Sequence, residues 1–391
     1  MSELHLSSLI VGGTTFGEDL YNGATAMPPE AVEAVIERAL EHGITAIDTS
    51  PWYHPSETSI GTALQHLAQR GWTREKLTLL TKCGHYRPVD SATEYDFSPK
   101  KVRESVYKSL ERLQTTYLDV VYLHDVQGVA DVVGESHSAG RAVNLIRPEN
   151  LAKNGLLPKN DGKLYGEGDA QCLDALRVLF EFKDAGIIRN VGISGASVHC
   201  DSCEQVADGF LGLGYPLAVM LRIAIQVRHH LGRPLDIVLS FCQHTLQAYD
   251  PATGKTNLEL FAPVLRERGG IKHVVNASPL SMGLLTPKGP PDWHPAPPEL
   301  RQVIAKMAHA LQPANIANIA LRFGLREWKH PFPVPTITGW STPAEVDASV
   351  AAKKASDLPN ASCEELERLA KDVLKSENGW AGWSWPAIWA P

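Results

Sequence analysis

ITAIDTSPWYHPSETSIGTALQHLAQR (44–70) carries the pattern from which the rest of the chain is read. It begins as a short β-branched run ending in a carboxylate, Asp48, and finishes as fourteen residues with apolar side chains at helical spacing. Between the two stand Trp52, Tyr53 and His54. A plain turn needs Gly, Asn, Asp or Pro and no aromatic payload. Loops that expose aromatic and ionisable groups from a rigid scaffold are where binding and chemistry gather.

The same unit recurs along the chain. SSLIVGG (7–13) precedes PPEAVEAVIERALEHG (28–43), KLTLLTKCG (76–84) precedes SPKKVRESVYKSLERL (98–113), and YLDVVYLHD (117–125) precedes CLDALRVLFEFKDAG (172–186). NVGISG (190–195) comes before a helical stretch containing Cys and Gly. LDIVLSFC (235–242), KHVVNASPL (272–280) and PVPTITG (333–339) each come before a further helix. Eight strands alternating with helices must run parallel, and in a single domain they close most naturally into an α/β fold of the (β/α)8 TIM-barrel type. An open doubly wound sheet is disfavoured because GGTTFG (12–17) lacks the GxGxxG spacing. Ser98-Pro99 and Thr342-Pro343 each predict a capped helix start. One interval breaks the rhythm. The loop insertion 129–170 after strand four is rich in Gly, Pro, Asn and Asp, and in a barrel it sits on the C-terminal face. The expected organisation is one domain, 1–376, followed by a Trp-rich tail, 377–391.

Composition narrows the function. A chain of 391 residues, 43% hydrophobic and 21% charged, can bury a large core, and a net charge of −7 supplies no basic field for nucleic acid or an anionic membrane. No apolar run reaches the length of a bilayer span, and MSELHLSSLIVGG lacks a signal-peptide pattern, so a cytoplasmic location is the default expectation. Six cysteines in so long a chain do not suggest a disulfide framework. Cys200 and Cys203 form a lone CxxC with no second pair, and His229-His230 reads as a solvated helix end. No metal is therefore expected.

In a barrel of this kind the active site gathers where the strands end. Those positions hold Asp48 and Tyr53 after strand two, Lys82 at the end of strand three and His124 at the end of strand four. Taken singly, each has an ordinary structural role as a turn cap, core aromatic, solvated strand end or core imidazole. Taken together, they make a proton-transfer set. An ammonium at Lys82 would lower the tyrosine pKa, Asp48 would pair with that ammonium, and a neutral His124 would donate to a substrate oxygen. Such a set moves a proton to or from a carbonyl or alcohol oxygen but carries no hydride, so a cofactor must supply the redox half.

AIDTSPWY, LLTKCG and VVYLHD resemble the Asp, Tyr, Lys and His tetrad of the aldo-keto reductases. The likeness spans nearly the whole chain. AIDTSPWYHPSE, VRESVYKSLERLQTTYLDVVYLHDV and GWSWP are most similar to the family's fungal D-arabinose and plant L-galactose dehydrogenases. The resemblance implies that Tyr53 is the general acid or base, Lys82 and Asp48 its tuning pair, and His124 the substrate-orienting donor. It implies nicotinamide contacts at Ser194 and Gly195 and pyrophosphate contacts in the run 278–284, including Ser278, Leu280, Ser281 and Gly283. Around the adenosine it implies Gly339, Ser341, Thr342 and Glu345. Gly195, Leu239 and Ala277 depart from the commonest family pattern of Asn, Gln and an aromatic.

Trp52, His54, His85 and Trp383 are expected to line the substrate pocket, with packing as the alternative for each. The function implied is NAD-dependent oxidation of a small-molecule sugar at C1 to its lactone. The alternatives are reduction of an aldehyde or ketone, or a non-catalytic nicotinamide-binding sensor. Ser341 stands where a 2′-phosphate would call for a basic side chain, with Glu345 and Asp347 beside it. NAD is therefore expected over NADP.

Overall fold

The computed structural model describes residues 4–87, 90–91, 93–134, 140–141, 147–195, 216–250, 252–326, 334–358, 361–376 and 380–384. The eight apolar runs are strands: β1 Leu9–Gly12, β2 Ala46–Asp48, β3 Thr78–Cys83, β4 Leu118–Leu123, β5 Ile188–Gly195, β6 Ile237–Phe241, β7 His273–Ala277 and β8 Thr336–Gly339. Each pairs in parallel with the next, and β8 returns to β1 from Leu9↔Thr336 to Gly12↔Gly339, which closes the barrel and leaves no edge. Helices α1 Pro29–Glu41, α2 Ser56–Gln69, α3 Pro99–Arg112, α4 Glu167–Asp184, α5 Pro216–Leu231, α6 Asn257–Gly269, α7 Pro298–Ala310 and α8 Pro343–Ser356 follow the strands in turn.

Alternation along each strand separates two cores. Ile10, Ala46, Leu80, Val120, Tyr122, Ile237, Leu239, Val275 and Ala277 fill the barrel, and Leu4 and Leu6 pack against them. Val11, Ile47, Leu79, Val121, Val191 and Val238 point the other way, into the layer shared with the helices. Helix starts follow the sequence signals. Ser98 Oγ accepts from the Lys101 N–H at 3.3 Å and Thr342 Oγ1 from the Glu345 N–H at 3.4 Å.

Three features differ from the sequence expectation. Helix α4 begins at Glu167, five residues before Cys172, because its polar first turn is bound into the fold. The buried Asp169 accepts from Arg222 at 2.8 Å and Gln226 at 2.7 Å, both on α5. Two further helices, Ile316–Gly324 and Ala361–Ser376, follow no strand of their own and so fall outside the β-then-α repeat; they bury Ile319, Phe323, Ala370 and Leu374 in a cluster with α7. Between β4 and α4 lie the helix Pro148–Lys153 and the short strand Gly140–Arg141, which pairs antiparallel with Trp383–Ser384. The chain's Trp-rich end is thereby joined to the long β4–α4 connection. Gln247, after β6, holds the same end through Gly382 N–H (2.7 Å) and Trp380 O (3.0 Å). Cys200 and Cys203 lie outside the described residues.

Candidate active site

The inward-facing column of each strand continues into the polar groups at its end. Ala46 leads to Asp48 on β2, Leu80 to Lys82 on β3, Val120 and Tyr122 to His124 beyond β4, and Gly192 to Ser194 on β5. Asp48 is level with Leu80, and Lys82 with Tyr122, so barrel stagger lets Lys82 reach back across the neighbouring strand. Its ammonium donates to Asp48 Oδ1 at 2.6 Å and to the Thr49 carbonyl at 2.9 Å. All three lie inside the protein.

Tyr53 arrives on a tight turn, Pro51–Tyr53, whose cap is Ser50. The Ser50 hydroxyl accepts the Trp52 N–H at 3.1 Å. The Lys82 ammonium lies over Tyr53, its Nζ 4.7 Å from the ring centre. The His124 ring meets Tyr53 edge-on at 6.0 Å. Ser50 Oγ also faces His124 Nδ1 at 3.2 Å, so one buried hydroxyl ties the turn carrying Tyr53 to the imidazole. All four residues singled out for proton chemistry come together.

Their protonation follows from burial and charge. Burial pulls the Lys82 ammonium toward neutrality, but Asp48 and Tyr53 more than offset it and its pKa is raised. Burial also lifts the Asp48 carboxyl, against the pull of Lys82, and its Oδ2 has no partner among the described residues. His124 is pushed well down, first by burial and further by His85 and Lys82, so it is neutral at physiological pH. Tyr53 corrects the sequence expectation. Burial outweighs the lowering by Lys82, and the hydroxyl is raised above its ordinary value. A sequence shows the neighbouring charge but not how much water has been removed.

The residues expected around a substrate divide. Trp52 stacks on His85 with ring centres 4.0 Å apart, and His85 lies 5.1 Å from the His124 ring, so both reach the site. His54 turns to Glu18, at 3.6 Å. The Trp383 backbone is in the short sheet, and its side chain lies outside the described residues. Sequence reasoning missed the pair Glu94 and Asp125, which hold His85. Asp125 follows His124 directly and was open to notice. Glu94 reaches His85 only because Gly84, at φ +101°, turns the chain so that His85 and Tyr95 bridge.

At the expected cofactor positions, Ser194 is buried at the end of β5 and its Oγ accepts the Asp125 N–H at 3.1 Å. Gly195 is next to it, against Met220, whose side chain leaves no room for a Cβ. After β7 the chain takes left-handed conformations at Ser278, Ser281, Met282 and Gly283, and the Met282 N–H reaches Ser278 Oγ at 2.8 Å. Leu280 is half-buried. The fully buried Ser281 hydroxyl and Asn276 Oδ1 have no partner among the described residues. A left-handed run of this kind makes a concave backbone turn that suits an anion, although the Ser281, Met282 and Leu284 N–H groups are bonded within the turn. After β8, Gly339, Thr342 and Glu345 are exposed. Ser341 Oγ exchanges hydrogen bonds with Asn22 at 3.1 Å, and Glu345 accepts the Ser341 N–H at 2.6 Å. The tertiary structure adds one cation that the local sequence lacks. Arg38, from α1, pairs with Asp347 at 2.7 Å.

Comparison with known proteins agrees with this architecture. The model of the Aldo/keto reductase family matches residues 8–371. The chain is 31% identical over 334 residues to D-arabinose 1-dehydrogenase of Saccharomyces cerevisiae, covering 84% of this chain and 78% of that one. It is 28% identical over 323 residues to L-galactose dehydrogenase of Arabidopsis thaliana, covering 82% and 76%. An aldo-keto reductase from Bacillus halodurans, in its holo form, shares the fold with a TM-score of 0.55 at 20% identity, over 95% of this chain and 93% of that one. An eight-stranded closed barrel and a family match over nearly its whole length make this chain a member of the aldo/keto reductase family of oxidoreductases.

Proposed function

We propose that this reductase-family member oxidises an aldose at C1 to the lactone, with Tyr53 as the proton-transfer group and NAD as the cofactor. The observation that carries the reading is the placement of Tyr53 between the buried Lys82–Asp48 pair and a neutral His124. The names of the two sugar dehydrogenases quoted above support the substrate class.

In this reading His124 donates to the sugar ring oxygen or C1 hydroxyl and fixes its orientation. Tyr53 acts as base only after losing its own proton to solvent; the Lys82 ammonium stabilises that phenolate, which then takes the C1 hydroxyl proton and returns to the phenol as the hydride leaves C1. The nicotinamide supplies the hydride acceptor. Ser194 would hold its carboxamide, the run Ser278–Gly283 its pyrophosphate, and Gly339, Ser341, Thr342 and Glu345 its adenosine half. The unpartnered Ser281 hydroxyl and the left-handed turn after β7 fit such a group.

One observation favours a second reading, reduction of an aldehyde or ketone. The raised pKa of Tyr53 keeps its proton in place, ready for donation. A panel of D-arabinose, L-galactose, L-fucose, L-xylose and simple aldehydes, followed at the nicotinamide absorbance in both directions, separates the two. Aldose oxidation is the expected result. Fast aldehyde reduction with no aldose oxidation would overturn it.

A further inference from the structure

Beside His124 lies a buried charged cluster that the proton chemistry does not use. His85 Nδ1 is 3.2 Å from Asp125 Oδ2, and its Nε2 is 2.9 Å from Glu94 Oε1. His124 Nε2 is 3.7 Å from the same Asp125 oxygen. One donor atom from each of His85, His124 and Asp125 lies within 4.8 Å of the other two, and all three residues are buried. Stacking between Trp52 at 4.0 Å and Tyr95 at 4.3 Å fixes the plane of the His85 ring.

We propose that His85, His124 and Asp125 form a site for a divalent transition metal of the zinc class, and that its occupancy takes His124 away from the substrate. Two imidazoles and one carboxylate with a fourth position left open are a zinc donor set. Tetrahedral zinc with ligands at about 2.0–2.2 Å places those ligands about 3.3–3.5 Å apart. The observed separations of 3.2 and 3.7 Å from Asp125 lie on either side of that span, and the two imidazole donors, within 4.8 Å of each other, close on the ion as it binds.

The nitrogens that face away from the site are already held. Glu94 takes His85 Nε2, and Ser50 Oγ faces His124 Nδ1 at 3.2 Å. Carboxylate and hydroxyl partners of this kind orient metal-ligating histidines and fix their tautomers. The Ser50 hydroxyl can accept as well as donate, so it serves His124 both when Nε2 carries a proton toward a substrate and when it offers a lone pair to a metal. Charge agrees. Glu94 and Asp125 bring two negative charges to one imidazole ring, and a dication with a neutral His85 compensates both. No spacing in the sequence shows this set, because Glu94, His85 and the His124-Asp125 pair meet only across two strands and a turned loop.

The inhibitory effect rests on His124 orienting the substrate; the metal site itself does not. The test uses the full chain carrying Cys200→Ser and Cys203→Ser, stripped with EDTA, so that those thiols do not compete for the ion. Zinc chloride is titrated by calorimetry, and cobalt(II) is added in parallel for its visible absorption. One equivalent is expected to bind, with inhibition competitive toward the active sugar or aldehyde and reversed by EDTA. Glu94→Gln should weaken zinc affinity about 10–100-fold, read by calorimetry on the metal-stripped protein. His85→Gln should abolish the equivalent altogether. Absence of stoichiometric binding, or equal binding and inhibition in the His85→Gln protein, would overturn the proposal. Binding that depends on His85 but does not slow turnover would keep the metal site, and would overturn both its effect and the role of His124.

Discussion

At the ends of β2, β3 and β4, Asp48, Lys82 and His124 are 3%, 2% and 4% exposed, whereas after β8 Gly339, Thr342 and Glu345 stand in solvent. The same barrel mouth therefore holds its polar groups in two ways. On the β2–β4 side, strand backbones carry the charges, each answered by a neighbour at hydrogen-bond distance in a water-poor setting where such interactions are strong. After β8, a loop and a helix N-terminus carry neutral hydroxyls and one carboxylate at exposed positions. Geometry on the first side is set by the core. On the second it is set by local turns, so substitutions there should tune affinity without threatening the fold.

The sharpest way to break this contrast is at Tyr53. Tyr53→Phe keeps the ring and deletes the hydroxyl, and should lower kcat by about 10³-fold while nicotinamide binding, read by fluorescence quenching, stays near the parental value. A variant that turned over at the parental rate would remove Tyr53 from the chemistry. Lys82→Met comes next. It strands the Asp48 carboxylate without its cation and should cost about 3–5 kcal/mol in urea unfolding, with part of that recovered when Asp48→Asn is added. No recovery in the double variant would mean that the pair is not coupled.

Acid should act on the molecule in two steps. His294, in the connection after β7, is held by burial at a pKa of about 4, below its ordinary 6.5. A depressed histidine contributes stability in full above pH 6.5 and loses it as pH falls toward 4, at up to about 1.4 kcal/mol per pH unit. His124 and His244, which burial also depresses, add to the same limb. Asp125 behaves otherwise. Burial would raise it, but His124 and His85 hold it at about 2, so its contribution is present above pH 3.8 and fades only as pH falls through 2. His294→Gln should flatten the limb between pH 6.5 and 4 in chemical denaturation and leave the lower limb unchanged. An unaltered upper limb would place the protonation elsewhere.

Smaller effects belong to the exposed side. Turnover with NAD should exceed that with NADP by about tenfold in kcat/KM, equivalent to ~1.4 kcal/mol, because a 2′-phosphate beside Glu345 is repelled and Arg38 is engaged by Asp347. Ser341→Arg should narrow that ratio. A preference for NADP in the parent would show that Arg38 or another cation serves the phosphate. The smallest shift is expected from ending the chain after Gly382, which keeps the packed Ala381 but removes the pairing with Gly140–Arg141. KM for the sugar should rise about threefold with NAD affinity unchanged. An unchanged KM would leave the tail with a packing role only.

The barrel and the meeting of Asp48, Tyr53, Lys82 and His124 at its mouth were legible in the sequence because both depend on short-range rules. Strand and helix periods are local, and in a parallel barrel the residue that closes a strand lies on the active face wherever the rest of the chain goes. Asp48, Tyr53, Lys82 and His124 could therefore be placed by counting along strands two, three and four. The helices Ile316–Gly324 and Ala361–Ser376 escaped that reading because neither follows a strand of its own, so the β-then-α rhythm does not point to them; their apolar faces pack with α7. Other properties needed the folded chain. Arg38 meets Asp347 across 309 residues, Glu94 meets His85 through a turned loop, and Trp383–Ser384 pairs with a strand more than 200 residues earlier. The protonation of Tyr53 belongs to the same class. Lys82 beside it argued for a lowered pKa, but how far burial strips water from the hydroxyl depends on packing from every side, and that packing exists only in the tertiary structure.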